Sequence, residues 1–174
     1  MDTPDPEQLR FAPSGGVPNN PLLPVVLRHE ITGIRDNPEA CEQLFERHGW
    51  GGSWRDGIFP FHHFHSDAHE ALGIVGGEAT VLLGGPDGTE VALRAGDVVV
   101  LPAGTGHKRL DATPDLLVIG AYPPGQEAFD LRRADPAELD EVTANVAAVP
   151  LPATDPIAGA DGPLVALWNE AATR

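Results

Sequence analysis

The sequence predicts an all-β protein, a compact sandwich or barrel carrying two short peripheral helices. Two observations carry that prediction. Between Ile58 and Tyr122, short segments rich in Val, Ile and Leu alternate with tight turn signals. Gly and Pro together supply 38 of the 174 residues without collagen periodicity, as many short strands joined by turns require.

The elements follow in order. Residues 1–20 contain PDP, PSGG and PNNP, lack periodicity, and are expected to form a flexible N-terminal tail ahead of one domain over 21–174. Leu22 to Leu27 is an apolar run suited to a first strand. Asn37-Pro38-Glu39 starts a helix, with Asn as the cap and Pro at the first turn. Cys41, Leu44, Phe45 and His48 then share one face, and Gly49 stops it. Strands are expected at 70–75, 78–83, 89–94, 98–101, 107–110 and 116–122. The turns between them are Gly76-Gly77, Gly84 to Gly88, Ala95-Gly96-Asp97, Pro102-Ala103-Gly104 and Ala112 to Asp115. A second helix over about 135–149 opens on Asp135-Pro136-Ala137-Glu138, which has the form of a capping box, and Pro150 ends it. Residues 150–163 read as loop, and Leu164 to Trp168 as a short apolar return onto the barrel.

Composition excludes several functions. Cys41 is the sole cysteine, so neither an internal disulfide nor a cysteine-based zinc site can form. A formal net charge of −15 opposes binding to nucleic acid and to anionic membrane surfaces. No stretch approaches the ~20 apolar residues of a membrane span. The N-terminus has no signal-peptide pattern, so a cytoplasmic protein is expected.

Four of the seven histidines lie in Phe61-His62-His63-Phe64-His65-Ser66-Asp67-Ala68-His69-Glu70. On a strand, His63 and His65 point the same way, while His62 and Phe64 point oppositely. Glu70 begins the next strand and can swing beside the pair. Two imidazoles and a carboxylate suit Mn, Fe, Co, Ni or Zn. His107, just after a Pro-Ala-Gly-Thr-Gly turn, is the candidate fourth ligand.

These residues resemble the cupin family. Its first motif, G-x5-H-x-H-x3-4-E-x6-G, matches Gly57, His63, His65, Glu70 and Gly77. Its second, G-x5-P-x-G-x2-H-x3-N, matches Gly96, Pro102, Gly104 and His107, with Asp111 where Asn is usual. Together they span 57–111, with germin-like ligand spacing. The flanks Asn37–Trp54 and Tyr122–Trp168 are similar to the small bacterial YjlB-like cupins. The resemblance implies a jelly-roll barrel, a single divalent ion on His63, His65, Glu70 and His107, a small-molecule ligand and a homodimer.

Other residues admit two readings each. Phe59 and Phe61 share phase with His63, and Leu72 and Ile74 with Glu70, so all four are candidates for the pocket lining or for plain barrel core. His69 is a weak catalytic candidate or a turn histidine, and strand phase favours Glu70 over it as ligand. Arg109 shares phase with His107 and either clamps an anion or forms a rim ion pair. Trp50 and Trp54 either cover the barrel mouth or pack together. Tyr122, Lys108 and Cys41 carry no separate signal, and the acidic run in 138–141 reads as a solvated helix face.

The function expected is a metal-dependent enzyme on a small polar or anionic molecule: an oxygenase, decarboxylase, isomerase or hydrolase. An octahedral ion would keep two positions open, whereas Zn²⁺ with four protein ligands would be closed. The alternative is a metal-dependent binding or sensing domain without turnover. A purely structural, storage-like barrel would leave four ligands idle.

Overall fold

The structure is a computed structural model and describes residues 4–174. Its strands in chain order are β1 (Glu7–Leu9), β2 (Val25–Arg28), β3 (Gly51–Asp56), β4 (His63–Phe64), β5 (Glu70–Gly76), β6 (Glu78–Leu83), β7 (Thr89–Arg94), β8 (Val98–Leu101), β9 (His107–Ala112), β10 (Leu117–Tyr122) and β11 (Arg132–Arg133). The helices are α1 (Pro38–Arg47), α2 (Leu139–Ala148) and α3 (Pro163–Ala172), with a short 3₁₀ turn at Pro136–Glu138 before α2.

Two antiparallel sheets face each other. One runs β1-β2-β8-β5-β10-β3 and the other β11-β4-β9-β6-β7. Side-chain alternation explains how they close. On β5, Leu72 and Ile74 point inward with Val99 and Leu101 of β8 and Val118 of β10; Val81 and Leu83 of β6 and Leu93 of β7 meet them from the other sheet. The alternate residues Ala71, Val75, Val98, Val100, Ile119 and Ala121 point outward. Cys41 and Phe45 of α1 and Leu164 and Trp168 of α3 cover them. The six-stranded sheet is therefore apolar on both faces, which is why its strands read as near-continuous hydrophobic runs.

α1 is capped as its sequence predicts, Asn37 Oδ1 accepting the Ala40 amide at 3.1 Å. It sits close to β5 because position 73 is glycine: a Cβ there would lie 2.4 Å from Cys41 Sγ and 3.1 Å from Phe45 Cζ. The six strands expected between 70 and 122 occur within two residues of their predicted ends.

Three sequence expectations need correction. Within the supposed tail, residues 1–3 lie outside the described residues, but the remainder is built into the fold. β1 pairs with β2, and Val17 and Asn19 are buried. Asn19 binds the Ala12 and Gly84 carbonyls and the Gly106 amide, so an aperiodic segment is anchored by backbone hydrogen bonding that composition does not reveal. The chain has a third helix, α3, where a short return was expected; Pro163 at its first turn and buried Leu164, Trp168 and Ala171 explain it. β3 is missing from the expected strands; pairing with β10 supplies the order that its Gly-Gly-Ser sequence does not. Among the described residues no helix is long and apolar enough to cross a membrane.

Gly73→Ala should destabilise the fold by about 1–3 kcal/mol through overpacking against α1, read from urea unfolding. Adding Cys41→Ala should restore part of that loss. A single variant as stable as the parent would contradict the close packing of α1.

Candidate metal centre

β4 and β9 bring the histidines together, with His63 directly paired to His107 in the ladder. Alternation turns Phe64 outward onto Val17 and Val142 and leaves His63 and His65 facing the barrel. Each ring is fixed from behind. His63 Nδ1 lies 2.9 Å from the Phe61 carbonyl and His107 Nδ1 lies 3.0 Å from the Thr105 carbonyl. His65 Nδ1 contacts the Asp130 carbonyl. A carbonyl can only accept, so each Nδ1 carries its proton and each Nε2 is turned to the cavity.

Glu70, at the start of β5, is 2% exposed. Its Oε2 is 2.9 Å from His65 Nε2 and accepts the Tyr122 hydroxyl at 2.5 Å, while Trp54 Nε1 donates to that hydroxyl at 2.8 Å. Its Oε1 has no hydrogen-bond partner, although His107 Nε2 is 3.3 Å away. His107 Nδ1 is held against the Thr105 carbonyl, so Nε2 is the ring nitrogen turned toward that oxygen. A cation resolves such a contact, and the donor set fits a divalent ion. The ligand atoms of His65, Glu70 and His107 all lie within 4.8 Å of one another. The His63 ring lies against His107, centroids 3.9 Å apart.

The cluster also pairs charge within itself, and His65 would release a proton on becoming a ligand. Burial and the neighbouring His107 push His63 down to about 3, so it stays neutral. Burial also disfavours charge on His65, but the Glu70 carboxylate outweighs it and holds the imidazolium up to about 9. Burial opposes the charge on Glu70, yet His65 and His107 keep its carboxyl well below the ordinary carboxylate range. Burial and the adjacent Glu70 push the Tyr122 phenol far up, so it remains a donor.

A second layer holds these groups. Phe129 stacks on Tyr122 with centroids 4.1 Å apart and meets the His65 ring edge-on at 4.8 Å. Asp130 ties that loop to the histidine segment by accepting from the Ser66 amide at 2.7 Å and the Ser66 hydroxyl at 2.5 Å. Gly120 makes room for Trp54, since a Cβ there would lie 2.2 Å from the indole.

The cavity above the cluster has a volume of about 490 Å³. Phe59 and Leu72, two of the four residues offered for its lining, border it together with Arg109. Phe61 does not; it stacks behind Phe59 at 5.0 Å, with the Arg133 guanidinium over its face. Ile74 does not either; it sits deeper in the barrel core. His69, the weak catalytic candidate, is turned away from the cavity. Its Nδ1 accepts the Ala103 amide at 2.8 Å, its Nε2 lies 3.2 Å from the Pro150 carbonyl, and its ring packs on Trp168. Burial pushes it down to about 4. Of the two tryptophans, Trp50 is buried against α1 and α3 while Trp54 lines the cavity. Asp111, at the one departure from the motifs, is an exposed residue of β9 opposite Thr80.

Tyr122 and Phe129 are the site residues that sequence reasoning did not single out, whereas Trp54 was offered as a cover of the barrel mouth. Tyr122 had a usable signal, because it keeps phase on β10 with the inward-facing Val118. Phe129 had none, since a loop carries no phase.

Two facing antiparallel sheets with both histidine motifs converging at one end define a cupin, a double-stranded β-helix. No family model matches the chain. It is 40% identical over 158 residues to the uncharacterized protein YjlB of Bacillus subtilis (strain 168), covering 91% of this chain and 93% of that protein. The chain belongs to the YjlB family.

Similar solved structures include an uncharacterized protein with a double-stranded β-helix domain from Klebsiella pneumoniae. It is 18% identical over 78% of this chain and 89% of its own, with a TM-score of 0.37. The acireductone dioxygenase of Bacillus anthracis, with a cadmium ion in its active centre, is 22% identical over 49% and 58%, with a TM-score of 0.37. A DMSP lyase structure is 22% identical over 48% of this chain and 41% of its own, at 0.38. The chain thus spans less than two thirds of the latter two, and none of these superpositions adds to what the topology itself shows.

Because His69 is buried neutral, the unfolded chain takes up a proton below pH 6.5 that the folded chain refuses until about pH 4. Its contribution is complete above 6.5 and is lost as pH falls through that window, about 3 kcal/mol in all. His69→Gln, which retains an acceptor and a donor, should flatten the fall of the urea midpoint between those pH values. An unchanged slope would contradict the buried neutral ring.

Proposed function

We propose that the chain is a metal-dependent cupin enzyme acting on a small polar or anionic molecule, with one divalent ion (Mn, Fe, Co, Ni or Zn) held by His63, His65, Glu70 and His107. The observation that carries this reading is the orphaned Glu70 Oε1, buried beside imidazole Nε2 atoms in a largely apolar cavity. A buried carboxylate oxygen left unpaired costs about 1–3 kcal/mol or more, so the arrangement makes sense with a cation against it. Such an ion, when bound, supplies Lewis acidity and open coordination positions for a substrate oxygen or O₂.

The chain's own groups have separable tasks. The three carbonyls behind the histidines fix the tautomer that presents Nε2 inward. Tyr122 occupies Glu70 Oε2 and thereby reserves Oε1 for the ion. Trp54, Leu72 and Phe129 exclude water from the floor of the cavity. His69 takes no part, which leaves the Tyr122 hydroxyl as the proton-bearing group nearest the donor cluster.

Protein purified without chelator should hold one equivalent of a divalent metal by elemental analysis, with a melting temperature that falls on removal of the metal. His65→Ala, Glu70→Ala and His107→Ala should each abolish retention. Retention by all three variants would refute the ligand assignment. Tyr122→Phe should weaken metal affinity by about 10-fold while leaving the fold intact, as expected for a group that orients a ligand. Oxygen uptake by the Fe²⁺-loaded protein with a panel of small organic acids tests turnover; tight binding of one acid without conversion in any assay would instead mark a binding or sensing domain.

A further inference from the structure

The cavity carries one feature that a metal centre alone does not require. Arg109 lies two residues beyond His107 on β9, on the same inward face and about 7 Å further along the strand. It is the sole Lys or Arg among the residues lining the cavity. Among the described residues its guanidinium makes no ion pair, although it faces a cavity and not open solvent. The carboxylate that shares the rim, Asp56, lies outside ion-pairing distance and accepts the Gly57 amide at 2.7 Å. The Arg109 backbone is fixed by donating its N–H to the Phe59 carbonyl at 3.0 Å. A guanidinium is permanently charged, and its planar fork matches a carboxylate. In a chain of net charge −15, this cation faces inward and has no carboxylate of its own.

The remaining walls are apolar. Trp54, Ile58, Phe59, Leu72, Phe129 and Leu131 line them. Phe59 and Leu131 are 46% and 48% exposed, so apolar surface continues out to the rim. The volume of about 490 Å³ falls in the range of about 300–1,000 Å³ that accommodates ring-bearing ligands. A two-carbon acid would leave most of that space as water against hydrocarbon. The acid that fits is therefore larger than the donor cluster by itself would need.

We propose that the cavity takes an organic anion with an apolar, ring-sized body, its carboxylate gripped by Arg109 and its body lying between Phe59, Phe129 and Leu131 toward the donor cluster. This deepens the reading of the site as a metal centre and rests on it for the placement of the far end of the ligand.

The test is calorimetric titration of the Mn²⁺-loaded protein with 3-phenylpropionate, 3-phenylpropionamide and acetate. Phenylpropionate should bind about tenfold or more tightly than either the neutral amide or the small acid. Arg109→Met should lose that advantage while keeping metal content and melting temperature, and Arg109→Lys should recover part of it. Acetate binding as tightly as phenylpropionate, equal binding of the amide, or an unaffected Arg109→Met variant would each overturn the proposal, as would no binding of any probe. If the protein holds no Mn²⁺ yet phenylpropionate binding still depends on Arg109, the metal reading fails and the anion site stands.

Discussion

Glu70 is a charged carboxylate with almost no access to water, and the arrangement of the barrel mouth answers to it. Burial of such a group is expensive unless charge and hydrogen bonds surround it. The surroundings here are specific. His65 supplies the countercharge, Tyr122 a hydroxyl, and His107 an imidazole whose Nε2 faces the remaining oxygen at 3.3 Å. These partners come from different strands, so the carboxylate links β5 to β10 and to the histidine-bearing strands of the opposite sheet. The one oxygen left over is where the proposed ion belongs.

The support for those partners extends through the chain. Trp54 of β3 donates to Tyr122, and Gly120 is small because the indole lies against it. The Phe129–Asp130 loop closes over His65 and is held by Ser66 and Arg132. On the outside, α1 and α3 seal the six-stranded sheet, so the strands carrying Glu70 and Tyr122 are buried on both faces and have little freedom to shift. A binding site built on such strands is preorganised, and its variable parts are the rim residues: Phe59, Arg109 and Leu131. Under the proposed function those residues would tune what enters, while the floor would set what can be coordinated.

Much of this was legible in the chain. Short segments rich in Val, Ile and Leu between regular turn signals marked the central strands, because a strand buried on both faces is apolar at nearly every residue. The spacing of His63, His65, Glu70 and His107 is similarly local: two residues along one strand share a face, and glycine-bearing turns return the next strands to the same end. Asn37 and Asp135 before prolines announced two helices through capping chemistry, a matter of a few adjacent residues. The hidden parts depend on distant partners. Asn19 looks like a turn residue until the Gly84 carbonyl and Gly106 amide arrive beside it. β3 has a weak strand sequence and is ordered by β10.

The sequence by itself determined the class of fold and offered His63, His65, Glu70 and His107 as candidate ligands, since both follow from periodicity and spacing along the strands. Only the tertiary structure decided which oxygen of Glu70 is left free, that His69 serves the packing and not the cavity, that Tyr122, Trp54 and Phe129 complete the floor, and that Arg109 stands in the cavity without a carboxylate. The physical reason is the same in each case. A side chain's protonation, orientation and freedom to bind are set by the atoms within about 4 Å of it, and for these residues most of those atoms come from segments remote in the chain.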